Sequence, residues 1–213
     1  TGTGPALIYV NGAIQHRAIS QEATDMAALL SSAFTVITYD RRGRGESGDT
    51  PPYAVEREIE DLAALIDMAG GSASVFGESS GGVLALEAAR QGLPITKLAC
   101  YEPPFRVGPG QPPLPADFAV RFDGLVAEGR RAEAFTMFMV EAVGLPPEAA
   151  AGIADTPMWP VLEQVTHTVA YDREVMGDTQ NGDPQALERF AEVRTVNSSP
   201  ATTIWSGSVA VIA

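Results

Sequence analysis

Hydrophobic and polar positions along the N-terminal half of the chain alternate between two periods. Ala6-Leu7-Ile8-Tyr9-Val10 is a continuous apolar run closed by Asn11-Gly12, which predicts a buried strand. Gln21 to Leu30 places apolar residues at Ala23, Met26, Ala27 and Leu30, a helical spacing. Phe34 to Tyr39 is β-branched and aromatic and stops at Asp40-Arg41-Arg42-Gly43, so a second strand runs into a turn. From Tyr53 to Ala69, Val55, Ile59, Leu62, Leu65, Ile66 and Ala69 form one stripe, with Glu56, Glu58, Glu60 and Asp61 mostly off it. Ala73 to Phe76 predicts a third strand, and Ile95 to Tyr101 a fourth. Between them, Ser80 to Gln91 has almost no polar side, the mark of a buried helix.

Strands alternating with helices over short connections imply parallel pairing with right-handed crossovers. The expected fold class is α/β, a three-layer α/β/α sandwich on a mostly parallel sheet. Pro103 to Pro115 holds six prolines and two glycines in 13 residues and sustains neither period. Beyond that hinge the patterns are helical: Asp117–Glu128, Arg130–Val143, Pro147–Ile153, Met158–Asp172 and Pro184–Val193. The expected organisation is a core over 1–102, a helical cap over 103–195 and an incomplete return to the core sheet over 196–213. Such a cap belongs over the C-terminal edge of the strands, where ligands bind in open α/β sheets.

Composition narrows the function classes. A chain of 213 residues with 45% hydrophobic and 19% charged residues is globular, not disordered. The formal net charge of −13 repels phosphate backbones and anionic headgroups, so neither nucleic acid nor a membrane is an expected partner. No apolar run reaches the roughly 20 residues that span a bilayer. One cysteine and two histidines make neither an internal disulfide nor a structural zinc site, and no metal or other cofactor is expected. A cytoplasmic location is the accompanying expectation, and the sequence does not address the oligomeric state.

Gly77-Glu78-Ser79-Ser80-Gly81 is the motif that carries chemistry. G-x-S-x-G is weak alone, but here it joins a predicted strand to a predicted buried helix. In that setting the sharp turn needs small neighbours, thrusts the central serine out and points the following amide to the same place. Ser79, not Ser80, is the central residue. Gly45-Glu46-Ser47-Gly48 lacks the second spaced glycine.

With Asn11-Gly12-Ala13 after the first strand, Asp40 to Ser47 after the second, the Gly77–Gly81 elbow and Tyr101-Glu102-Pro103 after the fourth, the chain resembles the α/β-hydrolase superfamily. The resemblance is to its single-serine, esterase-like branch with a helical cap, and it covers residues 1 to about 105 well and the cap loosely. It implies Ser79 as a nucleophile that takes an acyl group from a small or medium ester, lactone or thioester. It implies the backbone N–H groups of Ala13 and Ser80 as an oxyanion hole, and a small-molecule acyl substrate as partner. Asn11 stands where the family usually has histidine. The Asp40 carboxylate is expected to order the Arg41–Gly45 turn through backbone bonds.

The rest of the triad is less regular. Thr202 to Ser206 has the pattern of the strand that follows the cap and Gly207 of its glycine, yet Ala210 stands where the family's aspartate belongs. Glu102 occupies the alternative acid position after the strand before the cap. It either orients a histidine or only caps the turn before Pro103. No histidine follows His167, which reads as a polar residue of a cap helix, and His16 lies on the wrong side of the elbow. The chain is therefore expected to be a fragment lacking the C-terminal catalytic histidine. Thr195 to Ala213, without a charged side chain, fits the family poorly. The alternative is a catalytically incomplete or non-enzymatic binding module that keeps the pocket. Phe135, Met137, Phe138 and Met139 either line an acyl pocket or pack the cap on the core, Trp159 and Tyr171 face cleft or core, and Cys100 reads as a buried strand residue.

Overall fold

The computed structural model describes residues 1–108 and 112–193, and the backbone of Thr203–Ser206 and Val209–Ile212. Six strands form one sheet: β1 Ala6–Val10, β2 Thr35–Thr38, β3 Ala73–Glu78, β4 Ile95–Tyr101, β5 Thr203–Ser206 and β6 Val209–Ile212, in the order β2-β1-β3-β4-β6-β5. β2, β1, β3 and β4 are parallel. β6 lies antiparallel on β4, with Cys100 opposite Ala210, and β5 antiparallel on β6. The expected mostly parallel α/β sheet is thus present. The strand foreseen over Thr202 to Ser206 is β5 from Thr203, with Thr202 and Gly207 outside the described residues.

Helices α1 (Gln21–Leu30), α2 (Val55–Met68) and α3 (Ser80–Arg90) fill the crossovers. Ser20 caps α1, its hydroxyl accepting from the Ala23 N–H at 3.1 Å. α2 buries its stripe through Ile59, Leu62 and Ile66. In α3 every residue from Ser80 to Ala89 is buried, as a helix apolar nearly all round must be. Ile8, Val10, Leu62, Ile66, Val75, Leu84, Leu86 and Leu98 make the main core, each large side chain stabilising by roughly 1.5–3 kcal/mol.

The helical region holds α4 (Phe118–Ala127), α5 (Arg131–Met137), α6 (Pro147–Ile153), α7 (Trp159–Val165) and α8 (Val169–Met176). Two of the helices foreseen there are interrupted. The one expected over Arg130–Val143 widens into a π-helical turn at Phe138–Val143. The one expected over Met158–Asp172 breaks into a 3₁₀ turn at Thr166–Thr168, resumes at Val169 and runs past Asp172 to Met176, before Gly177, whose φ is +56°. Thr166 and Thr168 donate their hydroxyls back to the carbonyls of Leu162 and Val165, at 2.9 and 2.7 Å, and such back-bonding bends helices. Ile14, Phe118, Phe122, Phe135, Val165 and Val169 form a second core. Met137, Phe138 and Met139 pack against it, and Trp159 meets Phe135 edge-on at 5.3 Å.

Candidate active site

β3 runs on through Gly77 and Glu78 and then reverses sharply into α3. At the reversal Ser79 takes φ +52° and ψ −126°, a conformation costly for a residue with a side chain. The two glycines of the motif are required by close approach. A Cβ on Gly77 would sit 2.5 Å from the Gly81 carbonyl oxygen and the Gly82 Cα. One on Gly81 would collide with the carbonyls of Val10 and Asn11 at the end of β1. The elbow is pinned to the neighbouring strand by the Ser79 N–H, which donates to the Tyr101 carbonyl at 2.8 Å.

Ser79 opens onto a cavity of about 350 Å³ that also meets Ala13, Glu78, Ser80, Glu102 and Asp172. The remainder of its wall is mostly apolar, with Leu114, Phe118, Phe138, Val143, Val169 and Met176. Of the residues foreseen for the site, Ser79, Ser80, Ala13 and Glu102 are therefore brought together. Among the described residues no protein acceptor takes the N–H of Ala13 or of Ser80. Glu102 is exposed and has φ +47° at the end of β4. Phe138 reaches the cavity, whereas Phe135 is buried in the second core.

The histidines lie elsewhere. His167 Nε2 is 3.0 Å from the Asp49 carboxylate, which also accepts from the Tyr171 hydroxyl, and Tyr171 stacks on Tyr53 at 4.1 Å. His16 is buried, its Nδ1 has no hydrogen-bond partner among the described residues, and burial holds its pKa below the ordinary histidine value. Neither lines the cavity. Cys100 is a buried strand residue whose thiol burial pushes up to about 12. Asp40 accepts from the backbone N–H groups of Arg17 and Glu46 at 2.8 and 3.0 Å, so its carboxylate ties the turn to the β1–α1 loop as well.

What sequence reasoning missed is a buried ionic network behind Ser79. Arg41 donates from Nε and Nη2 to both oxygens of Glu58, at 2.7 and 2.8 Å, and from Nη1 to Asp172 Oδ1 at 2.8 Å. Arg44 donates from Nη2 to Asp172 Oδ2 at 2.5 Å, from Nε to Thr168 Oγ1 at 3.0 Å and from Nη1 to the Gly12 carbonyl at 2.6 Å. The Ser80 hydroxyl donates to Asp172 Oδ1 at 2.7 Å, and the Tyr53 hydroxyl to Glu58 at 2.6 Å. Burial alone would raise the Asp172 carboxyl, but the charges of Arg44 and Arg41 outweigh it and hold the group below the usual carboxylate range. Glu58 is held low in the same way, Arg41 overcoming its burial. Three arginines within four residues before the Gly45 turn were the available signal, but nothing in the pattern says which are buried.

Comparison with known proteins fits this geometry. Residues 7–209 match the model of a family described as the alpha/beta hydrolase family. An alpha/beta hydrolase from Sphaerobacter thermophilus is 55% identical, the match covering 92% of this chain and 73% of that one, with a TM-score of 0.82. A hydrolase from Pseudomonas aeruginosa is 22% identical over 87% of this chain and 68% of that one, with a TM-score of 0.58, a likeness of fold.

Proposed function

The chain belongs to the alpha/beta hydrolase family, and we propose that its site is that of a serine hydrolase acting on a small or medium neutral ester, lactone or thioester. The observation that carries this reading is the strained Ser79, presented to a largely apolar cavity beside two uncommitted backbone N–H groups. In the proposed reaction Ser79 Oγ attacks the acyl carbonyl, its proton passing to an imidazole base that returns it to the leaving group. The leaving alcohol or thiol takes up a proton, and water then releases the acid from the acyl-serine. Ala13 and Ser80 N–H groups hold the oxyanion, and removing one such donor typically costs about 3–4 kcal/mol. Glu102, on the cavity wall, is the proposed acid partner of the base. The mostly apolar walls favour an uncharged acyl group.

Neither His16 nor His167 lines the cavity that Ser79 opens onto, so neither is proposed as the base. That placement favours the second reading, a pocket that binds without turnover. Small diffusible imidazole separates the two. If Ser79 is the nucleophile, imidazole accelerates hydrolysis of a p-nitrophenyl ester by the protein beyond the buffer background, and Ser79→Ala abolishes the increment. If the ester binds and no Ser79-dependent turnover appears with or without imidazole, the binding-module reading stands instead.

A further inference from the structure

Both backbone N–H groups assigned to the oxyanion hole trace back to one carboxylate on the helical region. The Gly12–Ala13 peptide is planar and trans, so its carbonyl and its N–H point in opposite directions. Whatever holds the Gly12 oxygen therefore aims the Ala13 N–H. Arg44 holds it at 2.6 Å, from a guanidinium that is 1% exposed. The next peptide back is held too, since Arg41 Nη1 donates to the Asn11 carbonyl at 3.2 Å. Arg44 is fixed in turn by Asp172 on α8 and by Thr168 in the turn before it. On the other side of the hole the same Asp172 accepts from the side chain of Ser80, whose N–H is the second donor.

Resting on the serine-hydrolase reading, we propose that Arg44 and Asp172 are positioning residues that set the oxyanion hole, so that docking of α8 on the core aligns both of its donors. Neither side chain touches the reacting atoms in this scheme. Arg44 acts through the Gly12–Ala13 peptide, and Asp172 through Arg44 and Ser80. The loop after β1 has no regular hydrogen bonding of its own from Asn11 to Ala13, and Gly12 carries no Cβ to restrict the peptide. Without Arg44 the Gly12 carbonyl loses the side-chain donor that orients it, while Arg41 still holds the Asn11 carbonyl beside it.

Arg44→Met tests this: Arg41 and Ser80 still donate to Asp172 Oδ1, while Oδ2 loses its Arg44 donor, so the variant's folding is checked first. Its crystal structure is expected to show the Gly12–Ala13 peptide turned or in two orientations. In the presence of imidazole, Ser79-dependent turnover is expected to fall by about 10²-fold with KM changed by less than about threefold. Arg44→Lys, which keeps a donor for the Gly12 oxygen, recovers most of the rate. A Gly12 carbonyl unmoved in Arg44→Met, with kcat unchanged, overturns the proposal. If Arg44→Met does not fold, Thr168→Val removes the acceptor of Arg44 Nε together with the back-bond to the Val165 carbonyl, and Thr166→Val, which removes only the neighbouring back-bond to Leu162, is its control. A several-fold fall in kcat at unchanged KM then supports the proposal, and an unchanged kcat overturns it. Failure of the serine-hydrolase reading is distinct: turnover survives Ser79→Ala, whereas the orientation of the Gly12–Ala13 peptide in Arg44→Met still reports on the positioning role.

Discussion

The inner and outer walls of the Ser79 cavity are built in opposite ways. The inner wall is Ala13, Ser80 and Asp172, backed by Arg41, Arg44 and Glu58, with every charged side chain at 6% exposure or less. The outer wall is apolar side chains from the helical region, with the solvent-facing Glu102 at its rim and Val143 about half exposed. Asp172 and Glu102 meet the same cavity, yet Asp172 accepts three side-chain hydrogen bonds and is locked, while Glu102 is open to water. The difference teaches where precision is needed: backbone donors must be aimed before substrate arrives, whereas an acyl pocket needs only shape and dryness.

Substitutions that strip one wall and spare the other sharpen that contrast. Asp172→Ala leaves two buried arginines facing Glu58 alone and is expected to destabilise by about 3–5 kcal/mol, read from urea unfolding. A loss below about 1 kcal/mol would mean that the network is not closed in solution. Glu102→Gln, by contrast, is expected to change stability by less than about 0.5 kcal/mol. With imidazole added as the base, it should nevertheless lower Ser79-dependent turnover about tenfold or more, because a neutral amide supports the imidazolium less well. An unchanged rate places the acid elsewhere.

Acid titration separates the two walls as well. Asp172 and Glu58 are held below their ordinary pKa values, so their contribution is complete above the unfolded carboxyl range near pH 4. It is lost as pH falls through the lower folded values. His16 is also held low, by burial, with Arg44 and Arg17 adding to the depression and Asp40 opposing it. The unfolded chain therefore binds that proton first, and stability falls as pH drops below the unfolded histidine value of about 6.5. Urea midpoints should decline between pH 7 and pH 5 in the native protein and stay level in His16→Gln. A level profile in both contradicts the buried neutral imidazole. The smallest effect is expected at Val143→Ala on the outer wall, within about 0.5 kcal/mol in stability, with any change confined to KM for longer acyl chains.

The parallel sheet and α3 were legible in the sequence because strand and helix periods are local and the apolar runs are strong. The elbow was legible because only glycine fits against the carbonyls of β1. Asp172 was not legible. It sits 128 residues from Arg44, at the end of what reads as one continuous amphipathic helix, and only the break at Thr166–Thr168 turns it inward. Its partners gave a signal of charge without a signal of burial. Arginine is ordinarily a surface residue, and the sequence cannot show which guanidinium will find two carboxylates in the interior.

The proposed chemistry turns on Ser79 Oγ being the group that takes the acyl or phosphonyl moiety. The direct measurement is peptide mapping by mass spectrometry after treating the protein with a fluorophosphonate, with and without imidazole. A single adduct on the peptide containing Gly77–Gly81, localised to Ser79 and absent from Ser79→Ala, is the predicted result. No adduct under either condition, or an adduct on Ser80 or Ser47 that persists in Ser79→Ala, contradicts it.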